Sequence, residues 1–316
     1  MRRIKLLYLS AALLAFTTSS AFTQEIPSEG PVPTTALINV QSKAPVQLDP
    51  SQLKLQVNGR DTPVNSVDRV RTSSAQIAIL IDDGLRGSFG LQIHDLQSFI
   101  NQLPAGTGVL VGYMQNGSVQ SPRHFSTEHQ SVAASLRIPL SSPGVNASPY
   151  FCLSDFVQHW PSNEPGPRFV LMITNGVDPY NGSTSIMNQD SPYVRRAQND
   201  ALRAGVAVYS IYFGNAGMRG ERASFSGQSY LQQVAEATGG ELLNIGPISP
   251  VSISPLLGQF QKALAESYVV GFTASIGHDR SDTLKPIRLR SSQPGVKLHA
   301  PEAVRPGTTV EAIARQ

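Results

Sequence analysis

Hydrophobic positions follow two different rhythms along the chain, and the change of rhythm separates a central part from two flanks. Over residues 73–245, short runs of consecutive apolar residues alternate with stretches in which apolar residues recur every three or four positions. The first pattern is typical of strands buried on both faces, and the second of amphipathic helices. Strands that alternate with helices predict an α/β domain with a doubly wound, mostly parallel sheet of the Rossmann-like kind.

The pattern also places the elements of this central part. Asn116-Gly117 is a typical two-residue turn and predicts a hairpin whose second strand ends near Phe125. The last helix is expected to stop at Gly239-Gly240, because glycine accepts the left-handed cap conformation. Strands are predicted at residues 77–81, 108–114, 169–174 and 205–214, and helices at residues 91–103, 194–204 and 229–238, with one more beginning after Pro149.

The two flanks carry the alternating pattern of half-buried strands. In residues 36–72, apolar and polar positions alternate over residues 53–57 ahead of an Asn58-Gly59 hairpin turn. Neither flank has enough apolar surface to stand alone, so we expect the N- and C-terminal flanks to form one small β module together. In residues 246–316 the pattern predicts a helix at 256–267 and strands at 268–273, 287–290 and 296–299; the first and last of these strands are expected to pair with 53–57.

The N-terminal residues are typical of an exported protein. Residues 1–21 combine Arg2, Arg3 and Lys5 with an apolar run and end Ser19-Ser20-Ala21, which predicts a secretory signal peptide. Residues 22–35 are rich in Pro, Ser and Thr and predict a flexible tether. No later stretch is long and apolar enough to predict a membrane span. We therefore expect a periplasmic or extracellular protein.

The charge and the cysteine content exclude two further classes of protein, those that bind nucleic acid through a basic surface and those stabilised by disulfides. The chain has 25 Lys and Arg against 22 Asp and Glu, and three of the basic residues lie in the predicted leader. The remainder is neutral, so nothing in the charge predicts nucleic-acid binding. A single cysteine, Cys152, excludes an internal disulfide framework and is read as a small buried hydrophobe. Trp160 is interpreted as packing against the sheet, with an exposed contact aromatic as the alternative.

Two aspartates mark the candidate site. Asp82 and Asp83 follow the strand at residues 77–81 directly, and ligands of open α/β sheets bind beyond the carboxyl ends of such strands. The six histidines are scattered without the spacing of a metal-binding helix. Ser229 lacks the second glycine of a nucleophile elbow. No set of residues forms a catalytic constellation, so no enzyme activity is predicted.

Several segments resemble, in order and spacing, the von Willebrand factor type A domain. The flanks in addition resemble a bacterial type A-related family common in acidobacterial-type genomes. The matching segments are residues 77–82 (first strand and leading aspartate), 146–149 (the Gly-Gly-Thr loop), 170–176 (the strand ending in Thr-Asp-Gly), 205–211 (a later strand), 231–240 (the last helix), and 47–64 and 266–272 in the flanks. The resemblance implies a type A fold and a protein-binding role.

The type A domain holds a cation with an aspartate, two serines, a threonine and a second aspartate. Asp82 keeps the first position and Ser148 keeps a hydroxyl, but the serines are replaced by Gly84 and Arg86 and the second aspartate by Asn175. Because Mg²⁺ requires nearly octahedral oxygen ligation, this set implies a degenerate site in which Mg²⁺ or Mn²⁺ is not expected. Arg86 is predicted to balance the aspartate pair instead of the cation.

These observations predict an exported, non-enzymatic adhesion or assembly module that binds a protein partner without an essential metal. The alternative is a metal-dependent type A domain in which Asp82 and Ser148 act with a non-standard ligand such as Asp83 or Asp178. A hydrolase is a third possibility for which the sequence offers no constellation. The predicted partner-binding face comprises Asp82, Asp83, Gly84, Arg86, Ser148, Asn175 and Asp178.

Overall fold

The structure is a computed structural model that describes residues 30–85, 87–140, 148–181, 189–214, 220–246, 249–276 and 282–311. The predicted signal peptide, the first part of the predicted tether and Arg86 lie outside these residues. The strands are β1 (Gly30–Gln41), β2 (Leu53–Val57), β3 (Arg60–Thr62), β4 (Val64–Arg69), β5 (Gln76–Asp82), β6 (Gly108–Gln115), β7 (Ser118–Gln120), β8 (Arg168–Thr174), β9 (Val206–Tyr212), β10 (Leu242–Leu243), β11 (Ser267–Ile276), β12 (Lys285–Ser291), β13 (Lys297–His299) and β14 (Ala303–Val304). The helices are α1 (Ile93–Gln102), α2 (His129–Ala134), α3 (Pro149–Gln158), α4 (Pro192–Ala204), α5 (Gly220–Thr238) and α6 (Ser254–Ala265).

The central sheet has the strand order β10-β9-β8-β5-β6-β7. All neighbouring pairs are parallel except β6 with β7, which form the hairpin predicted at Asn116-Gly117. The chain builds β6 and β7 on one side of β5 and then crosses to β8 on the other side. The predicted doubly wound, mostly parallel α/β sheet is confirmed, and the carboxyl ends of β5 and β8 form its topological switch point.

The strands of this sheet are buried because helices cover both of its faces. Every residue of β5 is buried. Ile77, Ile79 and Ile81 point into one apolar cluster, whereas Ala78 and Leu80 point into a second cluster on the opposite face. This two-sided burial explains the unbroken apolar runs in the sequence and fixes where β5 ends.

The two flanks form the predicted β module, which consists of two antiparallel sheets. Their strand orders are β13-β1-β11-β4 and β14-β12-β2-β3, so each sheet combines strands from both flanks. The predicted partners of residues 53–57 were wrong, because β2 pairs with β12, while β11 and β13 pair with β1. The reason lies in burial: β2 and β12 both alternate between inward and outward residues, whereas β1 from Ala36 to Val40 and β11 from Ser267 to Phe272 are continuously buried.

Strand β1 starts earlier than the sequence suggests. It begins at Gly30, so residues 30–35 belong to a strand and the prediction of a flexible tether up to residue 35 was wrong there. The prediction rested partly on Pro31 and Pro33, because proline is rare inside strands. They lie where β1 pairs only with β11, and the opposite side of β1 is occupied by β13 only from Asn39 onward. Proline is tolerated at such an open edge because it has no N–H to leave unpaired.

The β module shares its core with the α/β domain. Leu37 of β1 lies opposite Val269 of β11, and both belong to the apolar cluster that includes Phe260 of α6. Their neighbours Ile38 and Val270 point the other way, into the core of the module. The sheet that contains β1 and β11 is thus buried on both faces and joins the module to the α/β domain.

Candidate functional site

Asp82 is the last residue of β5, and its carboxylate is held by the chain around it. Oδ1 accepts a hydrogen bond from the backbone N–H of Gly84 at 2.8 Å, and Oδ2 accepts one from the Thr174 hydroxyl at 2.6 Å. Asp82 is buried. Burial raises the pKa of its carboxyl above the usual value, although the bonds from Thr174 and Gly84 oppose this rise. The environment therefore disfavours the charge of this carboxylate relative to water.

Asp83 points in a different direction and is paired with a cation that the sequence analysis missed. The guanidinium of Arg137 donates to both of its oxygens, at 2.8 and 3.1 Å, and the N–H of Leu140 donates to Oδ1 at 2.9 Å. Burial alone would raise the pKa of Asp83, but the bonds from Arg137 and Leu140 outweigh it and the pKa is lowered. Asp83 is therefore a buried carboxylate that keeps its charge.

Arg137 reaches Asp83 because it is clamped by Tyr113. It lies three residues beyond α2, and its guanidinium stacks on the ring of Tyr113 with the central carbon 3.7 Å from the ring centroid. The Tyr113 hydroxyl accepts from the backbone N–H of Arg137 at 2.6 Å and donates to its carbonyl at 2.8 Å. No local signal marks Arg137 in the sequence, because it is 54 residues from its partner.

The turn after β8 is shaped by close backbone packing. Gly176 has a φ of +68°, and a Cβ on it would lie 2.4 Å from the carbonyl oxygen of Gly227 in α5. A Cβ on Gly227 would in turn lie 2.1 Å from the carbonyl oxygen of Asn175. The side-chain Oδ1 of Asn175 accepts from the N–H of Val177 at 2.9 Å, which closes a local turn. Helix α5 thus presses directly on the backbone at the switch point.

Asp178 and α3 complete the surroundings of this turn. Asp178 is buried and accepts from the Tyr180 N–H at 3.1 Å and from the Ser191 hydroxyl at 3.0 Å, which ties the turn to the start of α4. The Tyr150 hydroxyl donates to the Gly176 carbonyl at 2.7 Å. Burial, with Asp178 nearby, raises the pKa of Tyr150 well above its usual value, so its hydroxyl remains a donor.

Ser148 directly precedes α3, which begins at Pro149, close to the predicted start, and its side chain makes no capping hydrogen bond. Its hydroxyl is buried and has no hydrogen-bond partner within the parts of the chain that the structure describes. An unpaired buried hydroxyl costs free energy. Cys152, one turn further along α3, is fully buried, and burial raises the pKa of its thiol to about 12, as expected for an unreactive packing residue.

Trp160 was correctly interpreted as a packing residue. It lies against the apolar cluster on one face of the sheet, and its indole N–H donates to Oε1 of Gln76 at 2.6 Å. The ring stands 5.2 Å from that of Phe125 and 5.4 Å from that of Phe156, measured between centroids. It therefore belongs to the amino end of the sheet, away from Asp82.

The carboxylates at and near Asp82 accept hydrogen bonds from other groups of the chain. Both oxygens of Asp82 already accept hydrogen bonds, burial disfavours its charge, and Gly84 offers no side chain. The carboxylates of Asp83 and Asp178, the non-standard ligands considered in the alternative, are bound to other partners. Among the described residues, no cluster of three or more His, Cys, Asp or Glu side chains could hold a metal ion. The unpaired hydroxyl of Ser148 is the one feature that favours a ligand here.

The carboxyl edge of the sheet also carries exposed apolar side chains. We use the name carboxyl edge for the loops and helix starts that follow the carboxyl ends of the parallel strands. All large hydrophobic side chains exposed in the described parts of the chain lie there; they are Leu91, Ile138, Leu140, Tyr180, Phe225, Ile245 and Val251. Leu140 is 77% exposed although its own N–H is bound to Asp83, and Val251 is 96% exposed although its carbonyl accepts from Gln92.

No protein-family model and no curated protein matches this chain. Solved structures do resemble it. An aerotolerance-related membrane protein from Bacteroides fragilis is 10% identical, with a TM-score of 0.42 over 60% of this chain and 98% of that one. A von Willebrand factor type A protein from Catenulispora acidiphila is 11% identical, with a TM-score of 0.40 over 86% and 72% of the two chains. BatB from Bacteroides thetaiotaomicron is 12% identical, with a TM-score of 0.40 over 60% and 98%.

One of these similar structures is a von Willebrand factor type A protein. At such identities and scores they carry no conclusion about activity, partners or metals. The architecture of this protein rests on its own strand order and register. No helix among the described residues is long and apolar enough to cross a membrane.

Proposed function

We propose that the protein is an exported, non-enzymatic adhesion or assembly module that binds a protein partner at its carboxyl edge without an essential metal. The observation that carries the proposal is the position of the exposed apolar side chains. Isolated surface hydrophobics are ordinary, but here they all occupy one edge. Apolar groups gathered on one side of a domain are typical of protein-interaction surfaces.

The internal bonding of the aspartates supports the absence of an essential metal. Arg137 neutralises Asp83, and Gly84 and Thr174 donate hydrogen bonds to Asp82. The chain itself therefore supplies a partner for each carboxylate in place of a metal ion. The edge therefore offers an apolar surface around a polar centre that is already hydrogen-bonded. Such a surface suits a partner with apolar side chains of its own, since Asp82, Asp83 and Asp178 already accept hydrogen bonds from the chain.

The alternative is a metal-dependent type A module that uses Asp82, Ser148 and further ligands. The specific observation in its favour is the buried Ser148 hydroxyl without a partner, since such a group suits a water molecule or an ion. A single buried carboxylate gives such a site low affinity for Mg²⁺ or Mn²⁺. Titration calorimetry with each ion distinguishes the two candidates: millimolar or weaker binding agrees with the proposal, whereas micromolar binding that is lost in Asp82→Ala establishes the alternative.

The proposed surface can be tested by capture of partners from an envelope extract of the parent bacterium. The variant Leu140→Ser, Tyr180→Ser, Phe225→Ser removes three exposed apolar groups from the carboxyl edge. The matched control Arg60→Ser, Arg288→Ser, Lys297→Ser changes three exposed residues of the β module. We expect the parent protein and the control to retain the same protein and the edge variant to lose it. Equal retention by the edge variant would place the binding surface elsewhere.

A further inference from the structure

A second cleft lies at the opposite end of the sheet from Asp82. It has a volume of about 720 Å³ and is formed where the first residue of β8, the ends of α3 and α4, and the C-terminal segment come together. This volume is in the range of small-molecule sites. Its lining is charged and hydrogen-bonding, with Trp160, Arg168, Asp200, Arg203, Asp282 and Arg305 around it.

The carboxylates of this cleft are already paired. Arg203 contacts Asp200 at 3.0 Å and Asp282 at 3.3 Å, and Arg305 contacts Asp282 at 3.7 Å. Asp200 also accepts from the hydroxyl of Ser154 at 2.5 Å and from Gln158 at 2.6 Å. Both acidic side chains of the lining are thus engaged by donors that belong to the fold.

Arg168 is the exception among the charged groups. No carboxylate lies within ion-pair distance of it in the described portion of the chain. Its guanidinium donates to the carbonyl of Ala204 at 3.3 Å and lies over the Trp160 ring, 5.6 Å from the centroid. Arginine carries five N–H donors in a planar fork, so most of them remain available. The indole, itself fixed by Gln76, holds this fork at the wall of the cleft.

We propose that this cleft binds a small polar molecule through an oxyanion group, a carboxylate or a phosphate, that pairs with Arg168. A planar guanidinium matches both groups in bidentate geometry. The exposed amide of Asn163 and hydroxyl of Thr309 lie in the same lining and supply hydrogen bonds to the uncharged part of the ligand. A sugar acid or a sugar phosphate has this combination of an anion and hydroxyl groups.

Titration of the full chain with glucuronate, glucose 6-phosphate and glucose tests the inference. We expect one or both charged sugars to bind in the millimolar range or tighter, and glucose to bind at least about tenfold more weakly, a difference of about 1.4 kcal/mol. Binding of glucuronate alone identifies a carboxylate site, and binding of glucose 6-phosphate alone a phosphate site. Equal binding of glucose, or no binding of either charged sugar, would overturn the proposal.

Two variants test the role of Arg168. Arg168→Gln is expected to weaken binding of the charged sugar at least about tenfold, while Arg288→Gln, an exposed position on β12, leaves it unchanged. Because Arg168→Gln also loses the bond to Ala204, its thermal midpoint is measured alongside. Asn163→Asp, at an exposed loop position, keeps the fold and adds a negative charge to the cleft, so it is expected to weaken binding as well. Unchanged affinity in Arg168→Gln would contradict the proposal.

Discussion

Arg137 forms a two-bond ion pair with Asp83, at 2.8 and 3.1 Å, at the edge where the type A resemblance places a cation. The carboxylate is almost completely buried, and the guanidinium is 36% exposed. This pair means that a positive charge supplied by the chain itself stabilises the aspartate next to Asp82. The cost of removing Arg137 follows from this pair.

Removing the guanidinium should be costly. In Arg137→Ala the buried carboxylate of Asp83 loses its cation and two hydrogen bonds, so we expect the free energy of unfolding to fall by about 2 to 3 kcal/mol. The matched control is Arg195→Ala, whose partner Asp190 is exposed, as is Arg195 itself. Its loss should change stability by less than about 0.5 kcal/mol. Urea unfolding measures the free-energy change of both variants. Equal changes would mean that the Arg137–Asp83 pair contributes no more to stability than an exposed ion pair.

The opposite pKa shift of Asp82 gives a pH-dependent prediction. Its pKa in the folded chain lies above the ordinary value, so the folded protein holds this proton more tightly than the unfolded chain does. The resulting stability is complete below about pH 4 and is lost as the pH rises through the folded pKa. The variant Asp82→Asn has no titrating proton at this position, so its stability lacks this pH dependence. Its amide can still accept a hydrogen bond from Gly84 and donate one to Thr174.

Urea unfolding of the parent and of Asp82→Asn between about pH 4 and about pH 8 checks this expectation. The free-energy difference should shift in favour of the variant as the pH rises. Asp83 has a lowered pKa, so its contribution to the free energy of unfolding changes with pH in the opposite direction. This contribution is present above the ordinary pKa of an aspartate and is lost as the pH falls through the folded pKa. It is common to both proteins and cancels in the difference. A free-energy difference that stays constant, or that moves in favour of the parent as the pH rises, would contradict the assignment.

The glycine contact between α5 and the turn after β8 can be tested by one methyl group. In Gly227→Ala the new Cβ would overlap the carbonyl oxygen of Asn175, so helix and turn must move apart. We expect a loss of about 1 to 3 kcal/mol. Gly258→Ala is the control, because Gly258 is an exposed position of α6 with open space around it and should gain about 0.5 to 1 kcal/mol from alanine. Thermal unfolding that shows the same sign for both would rule out the close contact.

The shared core predicts that the β module and the α/β domain unfold together. Val269→Ala removes two methyl groups that β11 packs into the α/β core and should cost about 1.5 to 3 kcal/mol. The fluorescence of Trp160, the single tryptophan, reports on the α/β domain, while far-ultraviolet circular dichroism reports on the whole chain. We expect the two denaturation curves to coincide in the parent and to shift together in the variant. Separate transitions would show that the module is an independent domain.

Much of the fold was predictable because its determinants are local. The apolar runs of β5 and β8 and the turn at Asn116-Gly117 are local patterns, and β5, β8 and the turn formed close to the predicted positions. The second strand of the hairpin, β7, ends at Gln120, so the prediction that it ends near Phe125 was wrong. Strand pairing in the β module was not predictable in detail. Residues 53–57 alternate in the same way as several C-terminal strands, and only the two-sided burial of β1 and β11 decides which strands pair.

The candidate site was only partly predictable. The position of Asp82 at the carboxyl end of a buried strand follows from the order of elements. Arg137 is separated from Asp83 by two helices and two strands, and its place depends on the Tyr113 clamp, for which the sequence has no pattern. The prediction that Arg86 balances the aspartates concerns a residue outside the described ranges, and Asp83 has its cation without it.

The central claim is that the carboxyl edge binds a protein partner without an essential metal. The measurement that tests it most directly is the affinity of the captured envelope protein for the parent chain, in Mg²⁺ and again in excess chelator, with the Leu140, Tyr180 and Phe225 edge variant measured beside it. We predict that the affinity of the parent chain is the same in both conditions to within about twofold, and that the edge variant binds at least about tenfold more weakly in both. A tenfold or greater loss in chelator, restored by Mg²⁺, would contradict the account and establish the metal-dependent alternative.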